Sequence, residues 1–280
     1  MNETRTGISL SVVLGGGLRC IREVLWRTRR HGWRAGWTAL RAHAWNFYIR
    51  IRNQMCRHPR VACPCCGWEG HAFRILDVGH WIVPQVECPQ CGQHDRHRML
   101  HFFFMRRPPA FLRTGSRVLH VSPEAETQRF LRAAEGLRLF ASDLQPGATR
   151  HAVTSRCFSS DLTCMSVRDA VFDGIVCIHV LEHIRDDRRA LEEIARILKP
   201  AGTALIMVPF APVPDTREFE RPNPLIYNHV RDYSISDFPA RLTAFDVEPI
   251  APHDILSEEE RRRFQVPDNH VVYCCRRRAT

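Results

Sequence analysis

The sequence has no apolar run of about 18 residues, so it predicts no helix that spans a bilayer. Lysine is almost absent, with Lys199 the only one, and acidic residues are scarce between Leu18 and Arg60, where eleven arginines stand against one glutamate. That segment alone carries a formal charge of +10, which equals the net charge of the whole 280-residue chain. Basic character is therefore a property of an N-terminal arm and not of the main domain.

The twelve cysteines do not form the pattern of a secreted disulfide framework, because the chain is long and four of them fall in two Cys-x-x-Cys pairs. Such pairs indicate thiolates that are kept reduced for a metal ion in a cytoplasm-like compartment. The predicted location is accordingly cytoplasmic, and peripheral contact with the inner face of the membrane through the arm stays open.

The two pairs lie in "ACPCCGWEG" and "ECPQCGQHD", which share the form Cys-Pro-x-Cys-Gly. Four thiolates about 2.3 Å from one ion make a closed tetrahedral zinc site, which is structural because no position is open. The segments "FRILDV" and "HWIVPQV" between the pairs predict the strands of a zinc ribbon. Two alternatives stay open: Cys65 replaces a neighbouring ligand, or the cysteines are unrelated thiols. The predicted ligands are Cys63, Cys66, Cys88 and Cys91.

Changes in composition divide the chain into three predicted domains. Residues 1–58 form an Arg/Trp-rich helical arm, residues 59–107 contain the cysteine pairs, and Pro108-Pro109 marks a break. Within residues 108–280, short apolar runs alternate with helical patterns from about Ser116 onward. That alternation predicts an α/β domain with a parallel sheet and crossover helices.

The arm contains large apolar residues at helical spacing, with arginines between them. Three interpretations of this amphipathic helix stay open. Its apolar stripe docks on the same protein, lies on an anionic membrane surface, or belongs to an arm that binds nucleic acid. The stripe consists of Trp33, Trp37, Leu40, Ala44, Phe47 with Tyr48, and Ile51.

The stretch "SRVLHVSPEAETQRFL", residues 116–131, predicts a buried strand over 117–121 and a helix that begins near Glu124. Nucleotide-binding α/β proteins usually place glycines in the turn between such elements, so that the backbone can approach the ligand. Here the turn is Ser122-Pro123-Glu124 and has no glycine. The next predicted strand ends in Asp143, at the position where α/β folds bind a ribose diol.

The segment "FDGIVCIHVLEHIRDDRRALEEIARILKPAGTALIMVP" predicts a strand over 174–178, a helix that ends before Pro200, and a strand over 204–208. It resembles the fourth- and fifth-strand region of class I S-adenosylmethionine-dependent methyltransferases, and within them the type 11-like group. Ala201 stands where the "LKPGG" turn of that group has a glycine. The likeness extends over residues 115–276, and a zinc ribbon before a "VLHVxPE" motif also resembles a subgroup of these enzymes.

The resemblance implies a Rossmann-like sheet of seven strands, mostly parallel with the last strand antiparallel, preceded by a small zinc-ribbon module. It implies S-adenosylmethionine as co-substrate, with Asp143 on the ribose and Asp161 with Leu162 beside the adenine. The turn with Ser122 and Glu124 would face the methionine end. S-adenosylmethionine has no phosphate, so it does not require a glycine-rich cradle, and its ammonium group needs an acceptor such as Glu124.

Two histidines are the candidate catalytic residues. His179 follows the predicted fourth strand, and His229 lies in the long segment before the sixth strand. The first functional hypothesis is a methyltransferase with structural zinc, whose acceptor is a small molecule, a glycan or a lipid. The second is a non-catalytic scaffold that has lost its cofactor and binds a membrane surface or nucleic acid.

Overall fold

The computed structural model of the chain describes residues 10–78, 81–144 and 156–278, with side chains from residue 18 onward. The first nine residues of the predicted arm lie outside the described residues. Among the helices that are described, none combines the length and the apolar character that crossing a membrane requires.

Seven helices and thirteen strands follow one another along the described parts of the chain. The helices are α1 (Leu10–His31), α2 (Trp33–Gln54), α3 (Asp95–Arg106), α4 (Ala125–Ala133), α5 (Asp187–Ile197), α6 (Pro252–Ile255) and α7 (Glu258–Phe264). The strands are β1 (Val61–Ala62), β2 (Glu69–Gly70), β3 (Arg74–Asp77), β4 (Ile82–Glu87), β5 (Arg117–Val121), β6 (Arg138–Asp143), β7 (Cys157–Ser159), β8 (Phe172–Ile178), β9 (Leu198–Met207), β10 (Arg217–Asn223), β11 (His229–Asp232), β12 (Phe245–Ile250) and β13 (Val272–Arg277).

The chain folds into two compact units. The first consists of residues up to 61 together with 69–92, and it contains α1, α2 and the antiparallel pair β3–β4. These two strands fall on the segments predicted as ribbon strands. The second unit consists of residues 62–68 and 93–280 and contains the large sheet.

In the first unit, α2 packs closely on α1 through small side chains. Gly36 makes this approach possible, because a Cβ atom there would lie 1.9 Å from Thr28 Oγ1. Ala35, Ala39 and Ala42 are buried beside it. The apolar stripe predicted for this arm is not covered: Trp33 is 69% exposed, Trp37 56% and Phe47 58%. The hydrophobic period correctly indicated a helix, but the buried face is the one with small residues.

The second unit is built on a seven-stranded sheet with the order β12-β13-β9-β8-β5-β6-β7. Strand β13 is antiparallel to both of its neighbours, and the pairs from β9 through β7 are parallel. The predicted fold class is therefore confirmed, including the single antiparallel last strand.

Alternate residues of the central strands pack on opposite faces of the sheet. Ile175 and Cys177 of β8 belong to the core that α5 covers, whereas Val176 and Ile178 belong to the core with α3 and α4. Strands that are covered on both faces must be apolar at every position, which accounts for the continuous apolar runs of the sequence.

The strand order reverses between β5 and β8. From β5 the chain continues to β6 and β7 on one side, and it then returns to β8 on the other side. In open α/β sheets, ligands bind beyond the carboxyl ends of the strands at such a switch point. The segments that follow Val121 and Ile178 therefore define where a site is expected.

Candidate functional site

The two residues that follow β5 and β8 both adopt left-handed backbone. Ser122 has φ 45° and His179 has φ 54°, conformations that L-residues other than glycine rarely adopt. Ser122 thus adopts the left-handed backbone conformation that a glycine usually provides in this turn. Such conformations cost about 1–3 kcal/mol each and cluster at binding and catalytic sites.

Ser122 also connects the ends of β5 and β6. Its Oγ donates a hydrogen bond to Asp143 Oδ2 at 3.1 Å, and its N–H donates to the carbonyl oxygen of Ser142 at 2.7 Å. The N–H of Ser160 donates to the Asp143 carbonyl oxygen at 3.1 Å, which brings the segment after β7 to the same place. The predicted ribose residue and the predicted first turn are therefore in direct contact.

Asp161 and Leu162 follow that segment. Asp161 Oδ1 accepts hydrogen bonds from the N–H and the Oγ1 of Thr163, both at 2.8 Å, so the carboxylate fixes its own turn. The Leu162 side chain is buried in the core and only 5% exposed. Any contact of Leu162 with a ligand would therefore come from its backbone.

Glu124, at the start of α4, forms a half-buried ion pair with α3. Its Oε1 lies 2.7 Å from Arg96 Nη2 and 3.2 Å from His97 Nε2. Burial disfavours the charged form of this carboxyl, but the Arg96 guanidinium and His97 hold the pKa of Glu124 well below its usual range. Glu124 is therefore a carboxylate at neutral pH, and its buried Oε2 has no hydrogen-bond partner in the part of the chain that the structure describes.

Among the described residues, other buried polar atoms near the switch point also lack hydrogen-bond partners. They are His120 Nδ1 on β5, His179 Nε2 after β8, and Glu182 Oε2 in the 3₁₀ turn Leu181–His183. Burial and the Arg96 charge lower the pKa of His179 well below its ordinary value, and burial raises the pKa of Glu182 to about 8. Native proteins leave few buried polar groups unpaired, so this concentration fits a site for a polar ligand.

His229 lies on β11, facing the turn that contains His183. The two rings meet edge to face with their centroids 4.9 Å apart, and Glu182 completes a group of three. Burial and His183 lower the pKa of His229 to about 4. Of the two predicted catalytic histidines, only His229 belongs to this group. His179 comes before Glu182 in the sequence and is not a member.

The four predicted zinc ligands come together. The sulfur atoms of Cys63, Cys66, Cys88 and Cys91 all lie within 4.8 Å of one another. Both knuckles have the same turn: Gly67 (φ 74°) donates to the Cys63 carbonyl at 2.9 Å, and Gly92 (φ 72°) donates to the Cys88 carbonyl at 3.0 Å. Cys65 instead groups with His101 and Glu126, so it does not replace a neighbour in the set of four.

The sequence analysis did not predict that α3 contributes side chains to this site, or that Glu182 is one of its buried polar residues. On this helix, Arg96 pairs with Glu124, and the buried Arg98 donates to the Gln265 carbonyl oxygen. The dense run His94-Asp95-Arg96-His97-Arg98, directly before an apolar helix, was a signal that these charges are held inside the protein.

The strand order defines a Rossmann-like α/β domain, with the candidate site at its switch point. Residues 123–206 match the family model described as a methyltransferase domain. This match and the strand order support a class I methyltransferase domain in the second unit, and hence an S-adenosylmethionine-dependent methyltransferase. The scaffold hypothesis is not favoured.

No curated protein matches the sequence. Similar solved structures include a complex of a methyltransferase with the Haloferax volcanii activator Trm112, with 19% identity, a TM-score of 0.48, and coverage of 65% of this chain and 90% of that chain. The 1,6-didemethyltoxoflavin-N1-methyltransferase of Burkholderia thailandensis, with bound S-adenosylhomocysteine, has 19% identity, a TM-score of 0.41, and coverage of 66% and 77%. An S-adenosylmethionine-dependent methyltransferase from Aquifex aeolicus has 16% identity, a TM-score of 0.41, and coverage of 59% and 83%.

Proposed function

We propose that the protein transfers the methyl group of S-adenosylmethionine to a small molecule, a glycan or a lipid at the carboxyl ends of β5 and β8. The observation that supports this best is the group of unpaired buried polar atoms on Glu124, His179 and Glu182 at the switch point. The methyl group on a sulfonium ion is already activated, so the protein's main task is to align the acceptor with it.

The proposed cofactor contacts follow the three strand ends. Asp143, held by Ser122, accepts hydrogen bonds from the ribose hydroxyls, and Asp161 with the backbone of Leu162 lies beside the adenine. Glu124 accepts the ammonium group through Oε2, because Arg96 and His97 already occupy Oε1. His179 lies at the end of β8, where an acceptor would meet the methyl group, and we propose that it contacts the acceptor.

We expect Asp143→Ala to weaken the binding of S-adenosylhomocysteine by about 1.5–3 kcal/mol, the range for hydrogen bonds to a charged group. Calorimetry would then show roughly a 10- to 150-fold increase in Kd. Asp246→Ala is the matched control, because Asp246 pairs with Arg278 at the exposed sheet edge. Equal affinity of the two variants would exclude Asp143 from the cofactor site.

We also propose that Cys63, Cys66, Cys88 and Cys91 hold one structural zinc ion. Four thiolates at about 2.3 Å from a tetrahedral ion lie about 3.8 Å apart. The four sulfur atoms all lie within 4.8 Å of one another, a range that includes this spacing. The set offers no open position, so the zinc would stabilise the fold and take no part in methyl transfer.

For the arm, we propose peripheral contact with an anionic membrane surface. Its exposed apolar side chains include Trp33, Trp37 and Phe47, while the eleven arginines between residues 18 and 60 supply the opposite charge to acidic lipid. Tryptophan and arginine suit the depth of lipid headgroups. Since α2 already packs on α1 through its small residues, the large apolar side chains remain available.

We expect the full-length protein to float with vesicles that contain acidic phospholipid, to float less as salt is added, and not to float with neutral vesicles. The double variant Trp33→Ala/Trp37→Ala should lose most of this binding. Trp81→Ala removes a tryptophan of similar exposure, 42%, outside the arm, and it should bind normally. Equal flotation with acidic and neutral vesicles would contradict the proposal, as would an equal loss of vesicle binding in the double variant and in Trp81→Ala.

A further inference from the structure

Glu182, His183 and His229 bring three metal-binding atoms together beside the carboxyl end of β8. One carboxylate oxygen and one ring nitrogen from each histidine all lie within 4.8 Å of one another. We propose that these side chains bind a divalent first-row transition-metal ion that keeps positions open for the methyl acceptor. Metal binding itself does not depend on the proposed function, whereas the role of the metal ion in methyl transfer rests on it.

The chemical types of the three ligand atoms indicate which metal ions would bind. Two imidazoles and one carboxylate are typical of Zn²⁺, Fe²⁺ and Mn²⁺ sites that retain open coordination positions, unlike the closed set of four cysteines. Ligand atoms about 2.1 Å from a common ion lie about 3–4 Å apart, so an ion would draw these three atoms slightly together. The His183 residue is exposed, but two of the three residues belong to a 3₁₀ turn and the third to a strand, which limits their movement.

Glu182 is the strongest reason to expect a cation. This residue is only 1% exposed, and its Oε2 has no hydrogen-bond partner among the residues described. Within the described parts of the chain, no lysine or arginine nitrogen lies within 4.0 Å of this carboxylate, whose one close basic neighbour is His179 Nδ1 at 3.5 Å. A buried carboxyl oxygen without a hydrogen-bond partner is costly, and coordination to a metal ion would satisfy it.

The other mixed group in the second unit shows the contrast. Glu126 lies near Cys65 and His101, but Arg129 Nη2 is 2.6 Å from its Oε1. The guanidinium already supplies the positive charge that a metal ion would bring. We therefore assign no ion to that group, and it provides a control.

Arg231 holds the proposed ligands in place. Its side chain is 2% exposed, and its guanidinium donates to the carbonyl oxygens of Leu181 at 2.9 Å, Ile184 at 2.6 Å and Arg185 at 2.7 Å. These bonds join the turn that contains Glu182 and His183 to β11, two residues from His229.

The position of the group suggests what the ion would do. An acceptor hydroxyl bound at an open position would lose its proton more readily, because a divalent cation lowers the pKa of a bound hydroxyl. The acceptor oxygen would form a bond to the methyl carbon as the carbon–sulfur bond of S-adenosylmethionine breaks, and the proton would leave to water. The products are the methyl ether and S-adenosylhomocysteine. A hydroxyl-bearing acceptor is therefore the class that this site favours.

The test is a Mn²⁺ titration of the purified full-length protein with its cysteine site occupied by zinc, followed by the electron paramagnetic resonance signal of free Mn²⁺. Mn²⁺ prefers oxygen and imidazole ligands and will not displace zinc from thiolates. We expect saturable binding of one Mn²⁺ per chain. His183→Ala, His229→Ala and Glu182→Gln should each weaken it by at least about tenfold. His229→Asp, which supplies an oxygen ligand, should retain binding.

Three controls make the result specific. His253→Ala and Glu192→Gln change exposed residues of the same types and should leave Mn²⁺ affinity unchanged. His101→Ala changes the other group and should also have no effect. Binding that survives all three ligand variants, or that disappears in His101→Ala, would overturn the proposal. Calorimetry with S-adenosylhomocysteine on the same samples tests the metal site and the proposed function separately. A protein that binds S-adenosylhomocysteine but not Mn²⁺ refutes the metal site alone. A protein that binds Mn²⁺ but not S-adenosylhomocysteine refutes the proposed function alone.

Discussion

Cys88→Ser should remove the zinc ion and strongly destabilise the part of the chain around the two knuckles. In small zinc modules, binding free energies of about 10–16 kcal/mol contribute to folding, and a site with three thiolates retains only part of that. We expect metal analysis to find about one zinc per chain in the unmodified protein and a large deficit in the variant. Limited proteolysis should then cut the variant within residues 59–92, where the unmodified protein resists cleavage.

Cys65→Ser is the matched control, because Cys65 lies between two predicted ligands in sequence yet groups with His101 and Glu126. It should retain zinc and resistance to proteolysis. A zinc content that falls equally in both variants would show that Cys65 shares the site. An unmodified protein without zinc, or a Cys88→Ser protein as resistant as the original, would refute the structural role of the metal.

Arg231→Met should be the most destabilising single substitution in the second unit. The change removes bonds to three backbone carbonyls and to Glu218, whose Oε1 lies 2.9 Å from Arg231 Nε, and leaves those carbonyls buried. Removing one partner of a buried charged network costs about 3–5 kcal/mol. For a chain of this size we expect the melting temperature to fall by roughly 10 °C.

Arg221→Met is the control for this prediction, since Arg221 is an exposed arginine on β10. Its melting temperature should match that of the unmodified protein. Arg231→Lys should be intermediate, because one ammonium group cannot serve three carbonyls and a carboxylate at once. A melting temperature for Arg231→Met within about 2 °C of the control would mean that the carbonyls find other partners.

The fold followed from local patterns that the sequence displays directly. Strand β5 covers the predicted residues 117–121, and the four cysteines that come together in the structure stand out in the sequence by their doubled Cys-x-x-Cys spacing. Asp143 was placed correctly at the end of β6 because an acid that follows a short apolar run marks the end of a strand. In each case the residues that carry the signal are neighbours in sequence.

The remaining features depend on residues that are distant in sequence. Nothing near Glu124 indicates that Arg96, from another helix, neutralises it, and nothing near Glu182 indicates that His229 lies beside it. The arm illustrates a different point. Hydrophobic spacing shows which residues share a helix face, but whether that face is buried depends on the element that packs against the helix. The close approach at Gly36 decided that α2 buries alanines and leaves Trp33 exposed.

The backbone at Ser122 answers the question raised by the missing glycine. The turn has the left-handed conformation that a glycine would provide, and Ser122 uses its hydroxyl to bind Asp143. Serine in place of glycine therefore gives up a closer approach of the backbone to the ligand. In return, its side chain orients Asp143, the residue predicted to bind the ribose. Strain at this residue and at His179 is compatible with a site that the surrounding sheet holds rigidly.

The most direct measurement of the central claim is the thermal stability of the full-length protein at increasing concentrations of S-adenosylhomocysteine. A ligand that binds the native state alone stabilises it by RT ln(1 + [L]/Kd), so the melting temperature should rise with the logarithm of ligand concentration above Kd. Adenosine, which lacks the methionine portion, should produce a smaller rise at equal concentration. A melting temperature that does not change with S-adenosylhomocysteine up to millimolar concentration would contradict the account of this protein as a methyltransferase.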